Sequence, residues 1–472
     1  MLIPSDKTIV EKVSKCKSLL ATTPFKASML FSSLPPEPPL LCRECGSDKP
    51  GCRNFCEKSI NGYRQNFSGD IIPYENINLL VRKNLTQLAF LVVRQNSLER
   101  KDLALREWAR ADIQDLMNSE EVKESLKKRG CTITKPFIAN LFGSSANGLG
   151  SPSSDLDVCI TVEGINTLRE AGFVSQKGEL EIFDIALHAN NHRFYQDIEA
   201  VADAKVPIMR FVHKGTGLEG DLSIYNALPL RNTKLIKAYV DFDPVVKELG
   251  VVIKKFCKTA EIGDASKGGL SSYAYILMLI HYLQKMKVLP NLQENPEQKQ
   301  VLYEGITKDV MWNTFFIEDE NKIKELQSSY NSHSHDFCKL FLGFLHFYAF
   351  EFDWQNHVVS INRLDTLTAY EKKWTSKTLK IEDPFDLGHN LGTGPSKQMG
   401  LYIVKCFSNG YEHFSRLKGA YQDVVGTFLD RGQIQRGQAP PQDRNCRHCG
   451  IVGHFKDQCP KLNRNLRKKH SS

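Results

Sequence analysis

Residues 141–162 read LFGSSANGLGSPSSDLDVCITV, and this stretch decides the expected fold. One apolar, strand-like run ends near its start, and a second begins at Asp155-Leu156-Asp157 after a loop rich in Gly and Ser. In a β-strand, side chains two residues apart point to the same face. We therefore expect Asp155 and Asp157 to share one face of a sheet while Leu156 points into a core.

The Asp-x-Asp pair indicates a metal site. Two neighbouring carboxylates repel each other unless a cation lies between them, and hard oxygen ligands suit Mg²⁺ or Mn²⁺. Gly143 and Ser144 predict a tight turn whose N–H groups and hydroxyl approach a phosphate closely. Asp221, in GDLSIYN, precedes another alternating strand. If that strand lies beside the first, three carboxylates converge and can hold two metal ions, although an isolated Asp-x-Asp is usually only a solvated turn or a cap.

The flanking sequence predicts an α+β fold with two lobes around a cleft. IMRFVHK and DLSIYNAL are strand-like and are joined by the hairpin signal GTGLEG, whereas the regions on either side show helical periodicity. A small mixed β-sheet should form one lobe, and the mainly helical regions should form the other. The predicted segments are an arm at 1–40, a Cys-rich segment at 41–75, helices packing on the helical lobe at 76–130, the sheet lobe at 131–235, the helical lobe at 236–425, a linker at 426–443, a Cys/His cluster at 444–461 and a basic tail at 462–472.

The composition narrows the class of protein. The chain has 472 residues, 41% hydrophobic and 25% charged, which is typical of a globular protein with more than one domain. The net charge of +8 fits a polyanionic partner but is weak support alone. No apolar run approaches the roughly 20 residues of a membrane span, and no secretory signal is recognisable. These features predict a soluble protein of a reducing compartment, cytoplasmic or else nuclear, with no membrane partner.

The 13 cysteines do not suggest a disulfide framework, because their number is odd and many are clustered. The C-terminal cluster has the spacing of a tetrahedral Zn²⁺ site, and a knuckle of this kind binds single-stranded RNA; its ligands are Cys446, Cys449, His454 and Cys459. An N-terminal cluster either binds a second Zn²⁺ or is a reduced cysteine-rich segment; it comprises Cys42, Cys45, Cys52 and Cys56.

The order Gly-Ser, gap, Asp-x-Asp, distal Asp resembles the nucleotidyltransferases of the DNA-polymerase-beta superfamily. Within that superfamily, FGSSANGLGSPSSDLDVCI, DLSIYNALPLRNTKLI, GGLSSYAYILMLIHYL and IEDPFDLGHNLG resemble the terminal uridylyltransferases and their poly(A)-polymerase relatives. The similarity covers about residues 75–410 and is strongest to the animal terminal uridylyltransferases that carry a zinc knuckle after the catalytic module.

The resemblance implies that the sheet lobe is the catalytic lobe and that the helical lobe recognises the nucleotide. It also implies a role for each site residue. Asp155 and Asp157 would bind both catalytic ions, and Asp221 the ion nearer the RNA 3′-hydroxyl. The triphosphate contacts would be Ser144, Lys254, Lys258 and Ser272; Asn232 would contact the sugar, Tyr273 would stack on the base, and Asp383, Asp386 and His389 would lie near the base. On spacing alone, the two lysines could equally form a solvated basic helix face.

The implied activity is template-independent transfer of UMP from UTP to RNA 3′ ends, with release of pyrophosphate and two Mg²⁺ or Mn²⁺ ions as cofactors. The acceptors would be single-stranded 3′ ends of small-RNA precursors or mRNA, with a recruiting protein as a further partner and a monomeric enzyme. Two alternatives stay open: an adenylyltransferase of the same family, against which His389 argues, and a catalytically inactive RNA-binding scaffold.

Overall fold

The Asp-x-Asp segment begins the second strand of a five-stranded mixed sheet. The computed structural model describes residues 72–204, 206–294, 301–304, 310–330, 335–417 and 429–443, all within one unit. The strands are β1 (Phe137–Phe142), β2 (Leu156–Val162), β3 (Tyr195–Val201), β4 (Ile208–His213) and β5 (Leu218–Ile224). Their order is β1-β2-β5-β4-β3, with β2 and β5 parallel and the other neighbours antiparallel. This confirms the predicted small mixed sheet.

One face of the sheet is buried under helices. The helices of the first half of the chain are α1 (Leu79–Asn96), α2 (Arg100–Asn118), α3 (Glu120–Lys128) and α4 (Glu179–Asn190), and the last three cover the sheet. Apolar side chains of α2, α3 and α4 form one core with Leu156, Val158 and Ile160 of β2. Because side chains alternate along a strand, the odd-numbered residues of β2, including Asp157, face the opposite side.

The helices of 76–130 do not act as one group, contrary to the prediction that they all pack on the helical lobe. Helix α1 does contact helices of that lobe, whereas α2 and α3 pack on the sheet and on α4. The reason is the apolar stripe on α2, where Ala109, Ile113 and Met117 are fully buried in the core beneath the sheet.

The helical lobe consists mainly of the helices that follow the sheet strands in the chain. Its elements are α5 (Ala227–Phe242), α6 (Pro244–Thr259), α7 (Ser272–Lys285), α8 (Glu320–Tyr330), α9 (Phe337–His346) and α10 (Lys397–Ser415). Asp243 caps α6 through Val245 N–H, with Pro244 in its first turn, so the long helical pattern after Asn226 is divided there. Helix α9 continues into a π-helical turn at Phe347–Glu351.

Short strands complete the described part of this lobe. β6 (Val301–Glu304) pairs with β7 (Val310–Asn313), and β8 (His357–Val358) pairs with β9 (Leu367–Thr368). None of the described helices is long and apolar enough to cross a membrane.

The segment 429–443 is bound to the helical lobe rather than extending freely as a linker. It contains helix α11 (Arg431–Gln435), in which Ile434 is fully buried. Asn409 Nδ2 donates to the Ile434 carbonyl at 2.8 Å, and Ser396 Oγ donates to Asp443 Oδ1 at 2.7 Å. Contacts with residues distant in sequence therefore fix a stretch whose composition suggests a linker. The predicted arm, both cysteine clusters and the basic tail lie outside the described residues.

Candidate functional site

A cleft of about 1520 Å³ lies where the sheet meets the helical lobe. That is ample for a nucleoside triphosphate. Its lining includes all the residues predicted to contact the nucleotide, namely Ser144, Asn232, Lys254, Lys258, Ser272, Tyr273, Asp383, Asp386 and His389, together with Asp155 and Asp157. Asp221 lies outside this lining, on the neighbouring open face of the sheet.

The carboxylates are brought together by strand pairing. In the parallel β2–β5 ladder Asp157 lies directly opposite Asp221, while Leu156 is fully buried as predicted. Burial raises the pKa of Asp157 to about 7, and the negative charges of Asp221 and Asp155 add to the effect against the opposing charge of Lys254. Burial also raises the pKa of Asp221, with Arg210 opposing the change. The carboxylates of Asp157 and Asp221 are therefore desolvated and lie close to further negative charge.

This charge and these oxygen donors fit a divalent cation such as Mg²⁺ or Mn²⁺. A complete cage is nevertheless not formed, because the described residues contain no group of three His, Cys, Asp or Glu side chains arranged to hold a metal ion. The Asp221 carboxylate is instead 3.7 Å from Arg210 Nε. The predicted three-carboxylate centre is thus present as a pair in register, with Asp155 two residues before it.

The predicted tight turn follows β1 as a short 3₁₀ segment, Gly143–Ser145. Gly143 has φ of +63°, and a Cβ placed there would lie 2.5 Å from Asp157 Oδ2. Its N–H donates to Thr233 Oγ1 at 2.8 Å, and the Thr233 hydroxyl donates to the Pro229 carbonyl at 2.7 Å. The Gly143 N–H is therefore used to hold the turn against α5 rather than to grip a phosphate, which leaves Ser144 at the cleft surface.

Two lysines extend from α6 into the cleft. Lys254 Nζ donates to the Leu149 carbonyl at 2.7 Å, and burial lowers the pKa of Lys254 to about 8 although Asp157 opposes this change. Lys258, one turn later, also lines the cleft. An ammonium group that is desolvated beside a carboxylate does not belong to a solvated basic face, so this interpretation does not hold for Lys254.

Asp383 is the centre of a hydrogen-bond network behind the expected base position. Its Oδ2 accepts from Tyr273 OH at 3.2 Å and from Asn232 Nδ2 at 3.4 Å. Its Oδ1 accepts from the N–H groups of Phe385 and Asp386, both at 3.0 Å. Because Asp383 is buried, it fixes two cleft side chains and its own loop rather than presenting itself to a ligand. Sequence reasoning placed Asp383 near the base but did not reveal this linking role.

His389 is held at the end of the same loop. Its N–H donates to the Asp386 carbonyl at 2.8 Å, and its carbonyl accepts from Asp383 N–H at 3.1 Å. The residue lines the cleft together with Tyr273. Asn232 also lines the cleft, and its Oδ1 has no hydrogen-bond partner among the described residues.

Two supporting residues were missed from the sequence. Thr233 holds the turn, as described above. Arg106, buried on α2, donates from Nη2 to the carbonyls of Ser151 and Ser154 at 3.0 and 2.9 Å, which fixes the loop before Asp155. A single Arg in an amphipathic helix carries no sequence signal for such a role, since its acceptors are main-chain atoms far along the chain.

Two family models match the parts of the chain that build this site. Residues 89–241 match the central palm domain of the mitochondrial-like poly(A) RNA polymerases, and residues 336–389 match the Cid1 family poly A polymerase domain. A carboxylate-bearing sheet beside a triphosphate-sized cleft, combined with these matches, defines the class as a nucleotidyltransferase. The chain belongs to the Cid1-like family of RNA nucleotidyltransferases, in which a palm of this kind is joined to a helical lobe of the Cid1 type.

Similar proteins narrow the assignment within that family. The chain is 42% identical to terminal uridylyltransferase 4 of Mus musculus over 337 residues, which is 70% of this chain and 20% of that protein. It is 41% identical to terminal uridylyltransferase 7 of Homo sapiens, over 70% of this chain and 22% of that protein. The chain thus spans about a fifth of the length of these curated relatives.

Among solved structures, the fold is similar to that of the Cid1 poly(U) polymerase. A Cid1 structure, that of a histidine-to-asparagine mutant bound to MgATP, aligns with a TM-score of 0.58 and 25% identity, covering 73% of this chain and 98% of that chain. The predicted two-lobed nucleotidyltransferase fold is therefore confirmed for the described residues.

Proposed function

We propose that this protein transfers UMP from UTP to the 3′-hydroxyl of RNA without a template and releases pyrophosphate. The observation that carries the proposal is the register of Asp157 with Asp221, at the edge of a cleft whose other wall bears Lys254 and Lys258. The similarity to the terminal uridylyltransferases supports uridylate as the transferred group.

The residues of the cleft suit the separate tasks of this reaction. Bound Mg²⁺ or Mn²⁺ ions, held by Asp155, Asp157 and Asp221, would lower the pKa of the attacking 3′-hydroxyl and neutralise the departing pyrophosphate. Lys254 and Lys258 would place ammonium groups against the triphosphate. In a desolvated cleft such charges act more strongly than in water.

Three further contacts, two to the triphosphate and one to the sugar, follow from the lining. The hydroxyls of Ser144 and Ser272 can donate to phosphate oxygens from opposite sides of the cleft. Asn232, which lines the cleft, would contact the ribose. Tyr273, whose hydroxyl is fixed by Asp383, presents its ring for stacking on the base.

Uridine preference would come from His389. Uracil offers an O4 acceptor where adenine offers an amino donor. An imidazole N–H can donate to O4, and backbone hydrogen bonds hold the loop from which His389 lines the cleft. For Cid1, the histidine-to-asparagine mutant was studied with MgATP, which is consistent with a histidine acting on base choice in that protein.

The first prediction concerns this histidine. The shorter side chain in His389→Asn should withdraw the donor from the base and so lower the ratio of kcat/KM for UTP over ATP by about tenfold, the equivalent of one hydrogen bond to a base. Steady-state extension of a labelled RNA with each nucleotide measures the ratio. His346→Asn, outside the cleft, is the matched control. An unchanged ratio in His389→Asn would remove His389 from base selection.

The proposal as a whole is tested by incubating the protein with labelled single-stranded RNA, Mg²⁺ or Mn²⁺, and each NTP separately. Extension with UTP, lost in Asp157→Asn, is the expected result. Extension with ATP alone would support the adenylyltransferase alternative. A failure to extend with any nucleotide would leave the RNA-binding scaffold.

The zinc sites belong to the proposal as well. If Cys446, Cys449, His454 and Cys459 hold a structural Zn²⁺, the purified protein should contain one zinc ion that is lost in Cys446→Ser. A second zinc ion, lost in Cys45→Ser, would assign the N-terminal cluster. The RNA acceptors, a recruiting protein, the monomeric state and a cytoplasmic location remain predictions.

A further inference from the structure

A row of charged side chains continues from the catalytic carboxylates across the open face of the sheet. The ladders pair Asp157 with Asp221, Asp221 with Arg210, and Arg210 with Glu199. Directly paired residues project from the same face. Their core-side neighbours Met209 and Leu222 are fully buried, so the charged row faces away from the core.

Arg210 lies between two carboxylates, and its ion pairs with both are exposed to solvent. Its Nε is 3.7 Å from Asp221 Oδ1, and its Nη1 is 3.1 Å from Glu199 Oε2. The Arg210 side chain is 48% exposed, and those of Asp221 and Glu199 are 43% and 58% exposed. Exposed ion pairs of this kind contribute little stability, so the guanidinium can exchange either partner for a ligand.

The position of Arg210 relative to the cleft indicates which ligand this is. The cleft that fits the nucleoside triphosphate is lined by Asp155 and Asp157 but not by Asp221, Arg210 or Glu199. The acceptor hydroxyl must reach the carboxylate pair from the side that the triphosphate does not occupy. Asp221 and Arg210 form that side.

We propose that Arg210 binds the phosphodiester of the terminal nucleotide of the acceptor RNA and so positions its 3′-hydroxyl beside Asp221. This inference rests on the proposed RNA-extending function. A polyanion that approaches Asp155, Asp157, Asp221 and Glu199 is repelled unless a cation accompanies it, and a guanidinium matches a phosphate with two parallel N–H donors. Glu199 holds Arg210 over the sheet in the absence of RNA and competes with the phosphate when RNA arrives.

The test separates acceptor binding from nucleotide binding. Arg210→Ala should raise KM for RNA about tenfold while KM for UTP changes less than about twofold. Loss of one phosphate contact should also reduce the slope of log(kcat/KM) for RNA against log salt by about 0.7. Arg210→Lys should recover part of the affinity, and Glu199→Gln should lower KM for RNA because it frees the guanidinium.

Lys123→Ala is the charge-matched control, since it removes one positive charge from an exposed side chain outside the cleft. Equal rises in KM for RNA and UTP in Arg210→Ala, or a fall in kcat with an unchanged RNA KM and salt slope, would overturn the proposal and leave Arg210 as a group that only orients Asp221. Binding of a fluorescent RNA oligonucleotide, measured without NTP, tests the Arg210 contact even if the wild-type protein extends no RNA. A wild-type protein that extends no RNA would reject the proposed function, whatever the binding measurement shows for Arg210.

Discussion

Gly143 shows how narrowly a single position can be constrained. Its φ of +63° disfavours any side chain, and the space where a Cβ would lie is within 2.5 Å of an Asp157 carboxylate oxygen. The first constraint affects the backbone alone. The second affects the group that is proposed to bind the catalytic cation, and the two can be separated experimentally.

Gly143→Ala should reduce kcat at least about 100-fold, because a misplacement of catalytic groups by an ångström is enough for such a loss. Gly217→Ala is the matched control: Gly217 has φ of +71° and no atom within 4 Å of an added Cβ. It should lose about 1 kcal/mol of unfolding free energy and keep its activity. Extension kinetics and urea unfolding of both variants provide the comparison. Equal activities would show that the Asp157 carboxylate tolerates the displacement.

At the scale of single residues, the sequence predicted those features that depend only on neighbouring positions in the chain. The turn and Asp155-Leu156-Asp157 could be predicted because their spacing alone determines which side chains share a face. Arg106 and Thr233 could not, since both act on main-chain groups that only tertiary structure brings near.

At the scale of secondary-structure elements, hydrophobic periodicity predicted the structure better than amino-acid composition did. The sheet strands and the main helices follow their apolar patterns. Residues 432–443, GQIQRGQAPPQD, do not follow such a pattern, because they contain one large apolar residue, Ile434. Gln435 Nε2 donates to the Ala260 carbonyl at 3.1 Å, just after α6, and Asn409 Nδ2 of α10 donates to the Ile434 carbonyl at 2.8 Å. Groups from two helices distant in sequence therefore complete the attachment of α11.

Shortening the buried Ile434 side chain should detach residues 429–443 from the helical lobe. Ile434→Ala removes a fully buried side chain, with an expected local cost of about 2–5 kcal/mol. Hydrogen–deuterium exchange of the peptides covering 429–443 should accelerate at least about tenfold, while exchange in β2 and β5 stays unchanged. Gln433→Ala, exposed on the same helix, should change neither. Wild-type protection in Ile434→Ala would mean that the hydrogen bonds alone hold the segment.

At the scale of the whole molecule, a buried imidazole in the helical lobe affects the stability of the protein. His281 Nδ1 is 2.9 Å from Tyr348 OH, whose proton is directed to the Met278 carbonyl at 2.8 Å. The imidazole is therefore the donor in this contact and is neutral. Burial lowers the pKa of His281 to about 3, with Lys285 and His357 adding to the effect.

Stability should consequently fall as the solution is acidified. Below pH 6.5 the unfolded chain binds a proton at His281 that the folded protein cannot accept, so about 2 kcal/mol should be lost between pH 7 and pH 5 from this residue. His281→Asn keeps a donor but does not titrate, and its urea midpoint should vary less over this range. Parallel pH profiles for the two proteins would assign the acid sensitivity to other groups.

The two lobes could be predicted because long helical periodicity surrounds a short run of strand signals. The hydrogen bonds that shape the cleft between them could not, since the network that joins Asn232, Tyr273 and Asp383 links three segments far apart in the chain. Their association requires the completed fold.

The pairing of β2 with β5 has a consequence for shortened forms of the chain. A fragment that stops before Leu218 would retain the Gly143 turn and both acids of the Asp155-Leu156-Asp157 motif, so a motif search would still report it as an enzyme. It would nevertheless lack the strand that brings Asp221 alongside Asp157. A splice variant or proteolytic product of that kind would be inert, and during synthesis the ribosome must release β5 before any nucleotide can be joined.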